Sequence, residues 1–464
     1  MSVENAATTQ STSKPGGGQA AFYATSSIVP LPIIERGEGV YLWDDGGRRY
    51  IDVSSGPVVS NIGHGNATVA DAMVAQARKL DYAFARVARN RPNIALSERL
   101  AHLAGPGLER VSLTSGGSEA MENAIKLLRQ YALETGHPDK KKIIALQPSY
   151  HGATIAMLAV NGDLMMEPFL DGFATCSEKV PAPLGYRPPS PHTAESYARY
   201  CADCLDTKIR DLGAENVLAF VIEPVGGLST GCIVPPDSYI RRVREICTHH
   251  GVHLVFDEVL CGMGRTGKFL AAHHWPDALP DVVALAKGLG SGYSPLGAVL
   301  ASAAMVDELA ALTGFEFQYS YNANPISSAV GLAVLDVYEA QNLVARAATT
   351  GAAIRAGLER ICEDSPIVGD IRGAGMLLAV ELVSDKETHS PLPADIKPAD
   401  RVRVHGLNNG LIIYSRPTSG GKYGHWFIVS PPLNISDSEV LEMLGALRRT
   451  LADLADELAE TGVI

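Results

Sequence analysis

Short apolar runs alternate with amphipathic, helix-like segments through the centre of the chain, from about Val111 to Ser302. The runs predict strands at VSLTS, KIIALQ, VLAFVIEP, VHLVFDEV, DVVALAK and LGAVLAS. Several of these runs are continuous Val, Ile and Leu, which is typical of parallel strands buried on both faces. We therefore predict an α/β fold with a mostly parallel central sheet and helices on both of its faces.

The two ends of the chain have a different pattern. Near the N-terminus, GVYLWDDGGRRYIDV predicts a β-hairpin that turns at Asp45–Gly46–Gly47. After Pro325, one long helical stretch precedes short strand-like runs (MLLAVEL, LIIYS and WFIVSPP) and a last helix. We expect both ends to meet in a smaller α+β domain. The predicted division is a disordered tail at 1–20, an N-terminal segment joining the small domain at 21–70, a large domain at 71–330 and a C-terminal small domain at 331–464.

Composition and charge narrow the functional classes. The 464 residues are 46% hydrophobic and carry a formal net charge of -12, and this length is ample for more than one domain. An acidic chain without a basic stripe argues against a nucleic-acid partner. The longest uncharged apolar stretch, LGAVLASAAMV, is shorter than the roughly 20 residues that a membrane-spanning helix needs, so we expect no membrane partner.

The cysteines and the N-terminus indicate the cellular compartment of the protein and whether it has a metal site. Seven cysteines are too few and too scattered for a disulfide framework. Cys201 and Cys204 form a C-x-x-C pair, but the pair falls in a helical pattern and no second pair completes a zinc site, so we predict no metal. The N-terminal residues lack the apolar core of an export signal. We therefore expect a cytoplasmic protein.

Glycines and polar residues follow the predicted strands, at the edge where open α/β sheets bind their ligands. After VSLTS, Gly116 and Gly117 have no side chains and leave the backbone accessible just before a helix that Ser118 can cap. This arrangement favours a phosphate site at the helix start, although an ordinary capped turn fits the stretch equally well. The other strand ends supply an aromatic ring, a histidine, two acids and a lysine: Tyr150, His151, Glu223, Asp257 and Lys287.

Lys287 follows the apolar run DVVALA and precedes several glycines. A lysine buried in apolar surroundings needs an ion-pair partner or a functional role, because burial disfavours its charged ammonium.

Another motif, GMGRTG, matches the pattern G-x-G-x-x-G directly after a strand, as in a dinucleotide-binding fingerprint. The segment behind it is too short and too broken by proline for the required helix, and Lys287 ends the next strand where an acidic residue would be needed. A dehydrogenase is therefore a minor alternative.

Several motifs carry a resemblance to a known family: TSGGSEAMENAIK, PSYHGAT, IEPVGG, VFDEVLCGMGRTGKF, ALAKGLGSGYSPLGAV, YSYNANP and DIRGAGMLLAVEL. Their order and spacing are similar to those of the class III aminotransferases, fold type I pyridoxal-phosphate enzymes that include the ω-amino acid:pyruvate transaminases. The resemblance extends from roughly Gly39 to the C-terminus. It implies pyridoxal 5'-phosphate as cofactor and transfer of an amino group from an ω-amino acid or amine to an α-keto acid such as pyruvate. An amino-acid racemase, an aminomutase or a dialkylglycine decarboxylase on the same scaffold is the alternative.

The resemblance also implies how the cofactor is held. Lys287 would form the internal aldimine and later move a proton, on a path through a pyridoxamine-phosphate intermediate. Asp257 would pair with the pyridine nitrogen and keep it protonated. Tyr150 would stack on one face of the ring, and Val259 would pack against the other. The remaining cofactor contacts implied within the chain are Gly117, Ser118, His151 and Glu223.

The phosphate site is expected to involve a second copy of the chain. Family members close it with a hydroxyl from the partner subunit, usually a threonine, and the matching residue here is Ser320 in YSYNANP. Serine keeps the hydroxyl donor, so the role is expected to persist. The resemblance therefore implies a homodimer with active sites at its interface, or a tetramer of such dimers, acting on small-molecule amine donors and keto-acid acceptors.

Three further positions are expected to contact the substrate. Arg416 in YSRPTSGG matches the arginine that binds the carboxylate of the keto acid, for which a guanidinium fork is suited. Glu223 matches a glutamate that can pair with this arginine when no carboxylate is bound. Pro57 and Val58 stand where many ω-transaminases carry an aromatic residue, so Val58 is predicted to form an altered pocket wall. The arginines of FARVARNRP fall in a segment that lines the entrance in relatives, although a solvated surface is the favoured interpretation: Arg86, Arg89 and Arg91.

Overall fold

The computed structural model describes residues 31–170 and 177–464. The tail predicted at 1–20, the start of the 21–70 segment and Cys176 lie outside the described residues. The strands are β1 Ile34–Glu38, β2 Tyr41–Asp44, β3 Arg49–Asp52, β4 Arg110–Thr114, β5 Lys142–Gln147, β6 Ser177–Pro181, β7 Val217–Ile222, β8 His253–Asp257, β9 Val282–Leu285, β10 Gly297–Ala301, β11 Val368–Ala374, β12 Leu377–Asp385, β13 Ser390–Pro391, β14 Leu411–Ile412, β15 Tyr414–Ser415 and β16 His425–Val429. The helices are α1 Ser55–Val58, α2 Ala67–Lys79, α3 Arg91–Ala104, α4 Gly117–Glu134, α5 Ile155–Val160, α6 Glu167–Leu170, α7 Ala194–Leu212, α8 Asp237–His250, α9 Ala303–Leu312, α10 Pro325–Ala340, α11 Leu343–Asp364, α12 Pro398–Asn408 and α13 Asp437–Glu460.

The central sheet has seven strands in the order β4-β10-β9-β8-β7-β5-β6. Neighbouring strands from β9 to β6 run parallel, and β10 runs antiparallel to both β4 and β9. The prediction of a mostly parallel α/β sheet is confirmed, and every strand predicted for it forms. The sequence pattern does not predict β6, because this edge strand buries only Val180 among more polar neighbours.

The parallel strands bury side chains on both faces of the sheet. In β9, Val283 and Leu285 belong to one apolar cluster, while Val282 and Ala284 belong to another on the opposite side. Residues of α3, α7 and α8 complete the first cluster, and residues of α4 and α9 complete the second. Helices therefore cover both faces, because successive side chains of a strand point to opposite sides. This double burial explains the continuous apolar runs in the sequence.

Segments from near both ends of the chain share a second, four-stranded sheet, β1-β2-β3-β14. The predicted hairpin is present as β2 and β3, and the amide of Gly47 donates to the carbonyl of Asp44 (2.9 Å) to close its turn. Strand β14 lies parallel to β3, with Leu411 opposite Ile51. The N-terminal hairpin and the C-terminal part of the chain are thus hydrogen-bonded neighbours. The domain limits near 70 and 330 remain a prediction.

The C-terminal part contains a third sheet, β11-β12-β16-β15, with β13 paired to β12. The long helical stretch predicted after Pro325 is present, and it is divided into two helices, α10 and α11. Asn342 separates them with a left-handed backbone (φ 49°), which an α-helix does not accommodate. Across the two described segments, no helix has the length and apolar character to cross a membrane.

Candidate active site

A cavity of about 490 Å³ opens at the edge of the large sheet where the parallel strands end. The residues that line it come from the segments that follow β5, β7, β8 and β9, from the start of α4 and from the segment after β15. The predicted site residues among them are Gly117, Ser118, Tyr150, His151, Glu223, Asp257, Val259, Lys287 and Arg416. The topology thus brings together most of the residues that the sequence singled out.

Lys287 starts the turn directly after β9 and faces this cavity. Its backbone is left-handed (φ 43°), and its carbonyl accepts the amides of Gly290 (3.1 Å) and Ser291 (2.9 Å). Burial lowers the pKa of its ammonium, although the carboxylates of Asp257 and Glu223 act in the opposite direction. Within the described residues, its amine has no hydrogen-bond or salt-bridge partner. The strained backbone and the lowered pKa are typical of a reactive lysine.

Asp257 ends β8 and presents a fixed carboxylate to the cavity. One oxygen accepts the amide of Val259 (3.0 Å), and the other lies 2.9 Å from Nδ1 of His151. Both side chains are almost completely buried. The other ring nitrogen of His151, Nε2, is buried without a hydrogen-bond partner in the described part of the chain. Asp257 is therefore held at two points while its carboxylate still faces the cavity.

Helix α4 begins at the cavity with Gly117, after an extended Gly116 (φ 170°). The prediction that Ser118 caps this helix is wrong, since no side chain caps it and the Ser118 hydroxyl accepts the amide of Ala153 instead (3.0 Å). A Cβ on Gly117 would lie 2.7 Å from Val259 Cγ1, so only glycine fits there without moving the valine. The first amides of a helix have no acceptor within it, so those of Gly117 and Ser118 are available to an anion.

Glu223 lies after β7 with both carboxylate oxygens already engaged. Oε1 accepts the amide of Gly227 (2.9 Å), and Oε2 accepts the amide of Tyr150 (3.2 Å) and the hydroxyl of Ser229 (3.0 Å). Burial raises the pKa of its carboxyl group. No ion pair joins Glu223 to Arg416 in the structure, so the pairing that the resemblance implied is absent here.

Arg416 follows β15 and lies over the aromatic ring of Tyr150, with Cζ 5.1 Å from the ring centroid. Its Nη2 atom is 3.6 Å from Oδ2 of Asp163, and its Nε is buried without a hydrogen-bond partner among the described residues. Sequence reasoning missed Asp163, because it lies in a loop after α5 that carries no recognisable motif. It also missed Tyr414, which lines the cavity two residues before Arg416.

Five of the residues that the sequence singled out lie outside the cavity. Val58 does not line the cavity: it is 1% exposed and packs in the core, and the wall at this place is formed by Pro57 and Val59. The reason is a kinked backbone, in which Gly56 (φ 62°) and Val58 (φ 63°) are both left-handed. Ser320 is exposed and outside the cavity of its own chain, and its carbonyl accepts the hydroxyl of Tyr82 (2.9 Å). The arginines of FARVARNRP are also exposed and outside the cavity: Arg86, Arg89 and Arg91.

The cavity fits a cofactor that carries an aldehyde, a basic ring nitrogen and a phosphate. Lys287 offers an unpaired amine for the aldehyde, and Asp257 offers a carboxylate for a protonated ring nitrogen. Gly117 provides the space and the free amide that a phosphate needs at a helix start. Pyridoxal phosphate has these three groups. No cluster of metal-ligating side chains occurs in residues 31–170 or 177–464.

Comparisons with known proteins agree with this chemistry. A family model described as Aminotransferase class-III matches residues 22–451. A probable aminotransferase of Mycobacterium tuberculosis is 38% identical over 430 residues, which cover 92% of this chain and 90% of that protein. A putrescine–pyruvate aminotransferase of Pseudomonas aeruginosa is 32% identical over 425 residues, which cover 91% of each chain. The solved structure of an amine transaminase from an uncultivated Pseudomonas species, in its pyridoxal-phosphate-bound form, aligns with a TM-score of 0.87 and 33% identity over 94% of this chain and 99% of that one.

Proposed function

The chain belongs to the class III aminotransferases, which use pyridoxal phosphate, and from that premise we propose that it transfers the amino group of an ω-amino acid or amine to an α-keto acid such as pyruvate. One observation supports this proposal best. A buried lysine and an arginine that can bind a carboxylate face the same cavity. The cavity can therefore bind the amino group that is transferred and the carboxylate of the acceptor next to each other.

Each residue around the cofactor has a separate task in the proposed reaction. When bound, pyridoxal phosphate accepts the electrons of the bond that breaks at the substrate Cα. Asp257 keeps a proton on the ring nitrogen, and His151 fixes the orientation of that carboxylate. Lys287 would hold the cofactor through its aldehyde, and its amine would take the proton from the substrate Cα. Its lowered pKa suits this task, because the neutral amine is the base.

Arg416 is the proposed carboxylate-binding residue. Its planar guanidinium offers parallel N–H donors to the two oxygens of a keto acid. Stacking against Tyr150 restricts the guanidinium on one side, and the buried Nε has no other acceptor in the described chain. The apolar wall formed by Pro57, Val59 and Leu260 suits the uncharged end of an amine donor. The putrescine–pyruvate aminotransferase named above supports an amine donor and pyruvate as acceptor.

We also propose that the active unit is a homodimer in which Ser320 contributes its hydroxyl to the partner's phosphate site. Ser320 is solvent-exposed in one chain, and its carbonyl accepts the hydroxyl of Tyr82. Tyr82 and the neighbouring Tyr321 are 41% and 65% exposed, with ring centroids 6.1 Å apart. Such a patch is typical of a protein interface. The molar mass in solution, measured by light scattering, is expected to be twice that of the chain.

The two halves of the reaction test the proposed function separately. An amine donor alone should release one equivalent of its carbonyl product per site and remove the yellow colour of the bound cofactor. Pyruvate added afterwards should restore the colour and yield alanine. A racemase or aminomutase would instead convert the donor to an isomer without releasing a carbonyl product, and a decarboxylase would release carbon dioxide. The Lys287→Ala variant is the control, because it retains the cavity and lacks the amine.

A further inference from the structure

We propose that Asp163 is the counterion of Arg416 when no substrate carboxylate is bound, and that its charge sets how readily the cavity accepts a carboxylate. This proposal rests on the proposed function only for the role of Arg416. The Asp163 side chain is 2% exposed, and Oδ2 lies 3.6 Å from Arg416 Nη2. The Arg416 side chain is half-buried, and a buried carboxylate so close to its guanidinium stabilises the positive charge electrostatically, because partly buried charges are screened less than charges in water.

The two oxygens of Asp163 have different tasks. Oδ1 accepts the amide and the hydroxyl of Ser419 (3.0 and 3.3 Å) and the amide of Met165 (3.2 Å). It thereby ties the loop after α5 to the segment that follows Arg416. Oδ2 accepts none of these bonds and faces the arginine alone. Asp163 therefore positions both the guanidinium and the backbone that carries it.

The charges that face Arg416 leave Asp163 as its nearest compensating group. Glu223 is occupied by the donors described above, and Asp257 pairs with His151. Lys287 is the other cationic group that faces the cavity among the described residues, and it disfavours a second positive charge nearby. Asp163 is consequently the carboxylate that compensates Arg416 until the carboxylate of a substrate enters.

The contact between Asp163 and Arg416 leaves the guanidinium able to bind a second carboxylate. A separation of 3.6 Å exceeds that of a strong charge-assisted hydrogen bond, and Arg416 Nε has no partner of its own in the described chain. An entering carboxylate can therefore bind the guanidinium fork while Asp163 stays in place. The negative charge of Asp163 repels that carboxylate and favours donors whose far end is uncharged. Asp163 is thus a positioning residue that determines specificity.

The test measures equilibrium binding of propionate, an unreactive carboxylate, to the holoenzyme by titration calorimetry. Asp163→Asn keeps an oxygen for Ser419 and Met165 but removes the charge. We expect propionate to bind about fivefold more tightly to this variant, as for the loss of one nearby like charge partly screened by solvent. Propionamide, which is neutral and of equal size, should bind both proteins equally. Unchanged or weaker propionate binding to Asp163→Asn would overturn the proposal.

Two controls distinguish the effect of the negative charge of Asp163 from the effect of its hydrogen bonds. Ser419→Ala removes one tether and keeps the charge, so its affinity for propionate should stay that of the wild type. In an Arg416→Gln background, propionate should bind more weakly to both proteins, and Asp163→Asn should change its affinity by less than the roughly fivefold change expected with Arg416 present; an undiminished effect would contradict the assigned partner. Asp163→Ser serves as a second neutral variant if Asp163→Asn fails to retain cofactor. Since propionate does not react, this outcome is independent of whether the half-reactions proposed above occur.

Discussion

His151 Nδ1 lies 2.9 Å from Asp257 Oδ2, and both side chains are almost completely buried beside the cavity. The two residues come from different strand ends, β5 and β8, which the sheet places two positions apart. The second oxygen of Asp257 is bound by the amide of Val259. The carboxylate is therefore fixed before any ligand arrives, which lowers the reorganisation needed during catalysis.

Replacing Asp257 by asparagine should remove the proton from the ring nitrogen of the cofactor. An amide cannot hold a proton on that nitrogen, so we expect kcat to fall by about a hundredfold or more. The variant should still carry cofactor on Lys287, detected by mass spectrometry after borohydride reduction. His151→Phe removes the buried partner alone and should give a smaller loss. Equal activity of Asp257→Asn and the wild type would contradict the role assigned to Asp257.

Alanine substitutions of the two adjacent glycines at the start of α4 should have different effects on stability. A Cβ at Gly117 would come within 2.7 Å of Val259 Cγ1, whereas one at Gly116 meets no atom within 4 Å. Gly117→Ala should therefore lower the free energy of unfolding of the apoenzyme by about 1–2 kcal/mol through overpacking. Gly116→Ala should change it by less than about 0.5 kcal/mol. Urea denaturation of the two variant apoenzymes measures their free energies of unfolding. Similar losses for Gly117→Ala and Gly116→Ala would show that a clash with Val259 is not the cause.

The lowered pKa of Lys287 should appear in two pH dependences. The neutral amine reacts with an aldehyde, so uptake of pyridoxal phosphate by the apoenzyme should speed up with pH and level off below the ordinary value of 10.5. Between the two pKa values the unfolded chain binds more protons than the folded one. The free energy of unfolding of the apoenzyme should therefore rise with pH in that window. The free energy of unfolding of Lys287→Met should not show this rise with pH. An identical rise in the variant would show that other titratable groups cause it.

Arg416→Ala should separate acceptors from donors. If the guanidinium binds the carboxylate of a keto acid as proposed, its removal should raise the KM for pyruvate about tenfold or more, as expected for a lost hydrogen bond to a charged group. The KM for an uncharged amine donor should change much less. Steady-state kinetics with the other substrate saturating measures both values. Equal increases for donor and acceptor would reject the assignment of Arg416.

The sequence predicted the parallel strands well, because their burial on both faces leaves continuous apolar runs. It also located the residues that follow them, since the topology of an α/β sheet places strand ends at one edge. Lys287 and Asp257 were found in this way and lie in one cavity. Edge strand β6 was missed, because a strand that buries only Val180 has no continuous apolar run.

The failures within the site have a common physical cause. Val58 turns into the core, and Ser118 binds the amide of Ala153 instead of capping its own helix. Asp163 reaches Arg416 only because two loops distant in sequence are tied together by Ser419. In each case the position depends on local backbone angles or on contacts between distant segments. Neither leaves a periodic signal in the sequence.

The parallel pairing of β14 with β3 has a consequence for how the protein is made. Just beyond this pair of strands, the backbone amide of Tyr414 donates to the hydroxyl of Ser54 across 360 residues, so at about 5–20 residues per second the ribosome needs roughly 20 to 70 s to supply this end of the sheet. During that interval the nascent hairpin exposes a strand edge that can recruit other chains. Arg416 leaves the ribosome immediately afterwards, so the arginine proposed to bind the substrate carboxylate and the last strand of the sheet are delivered together, as late events of synthesis.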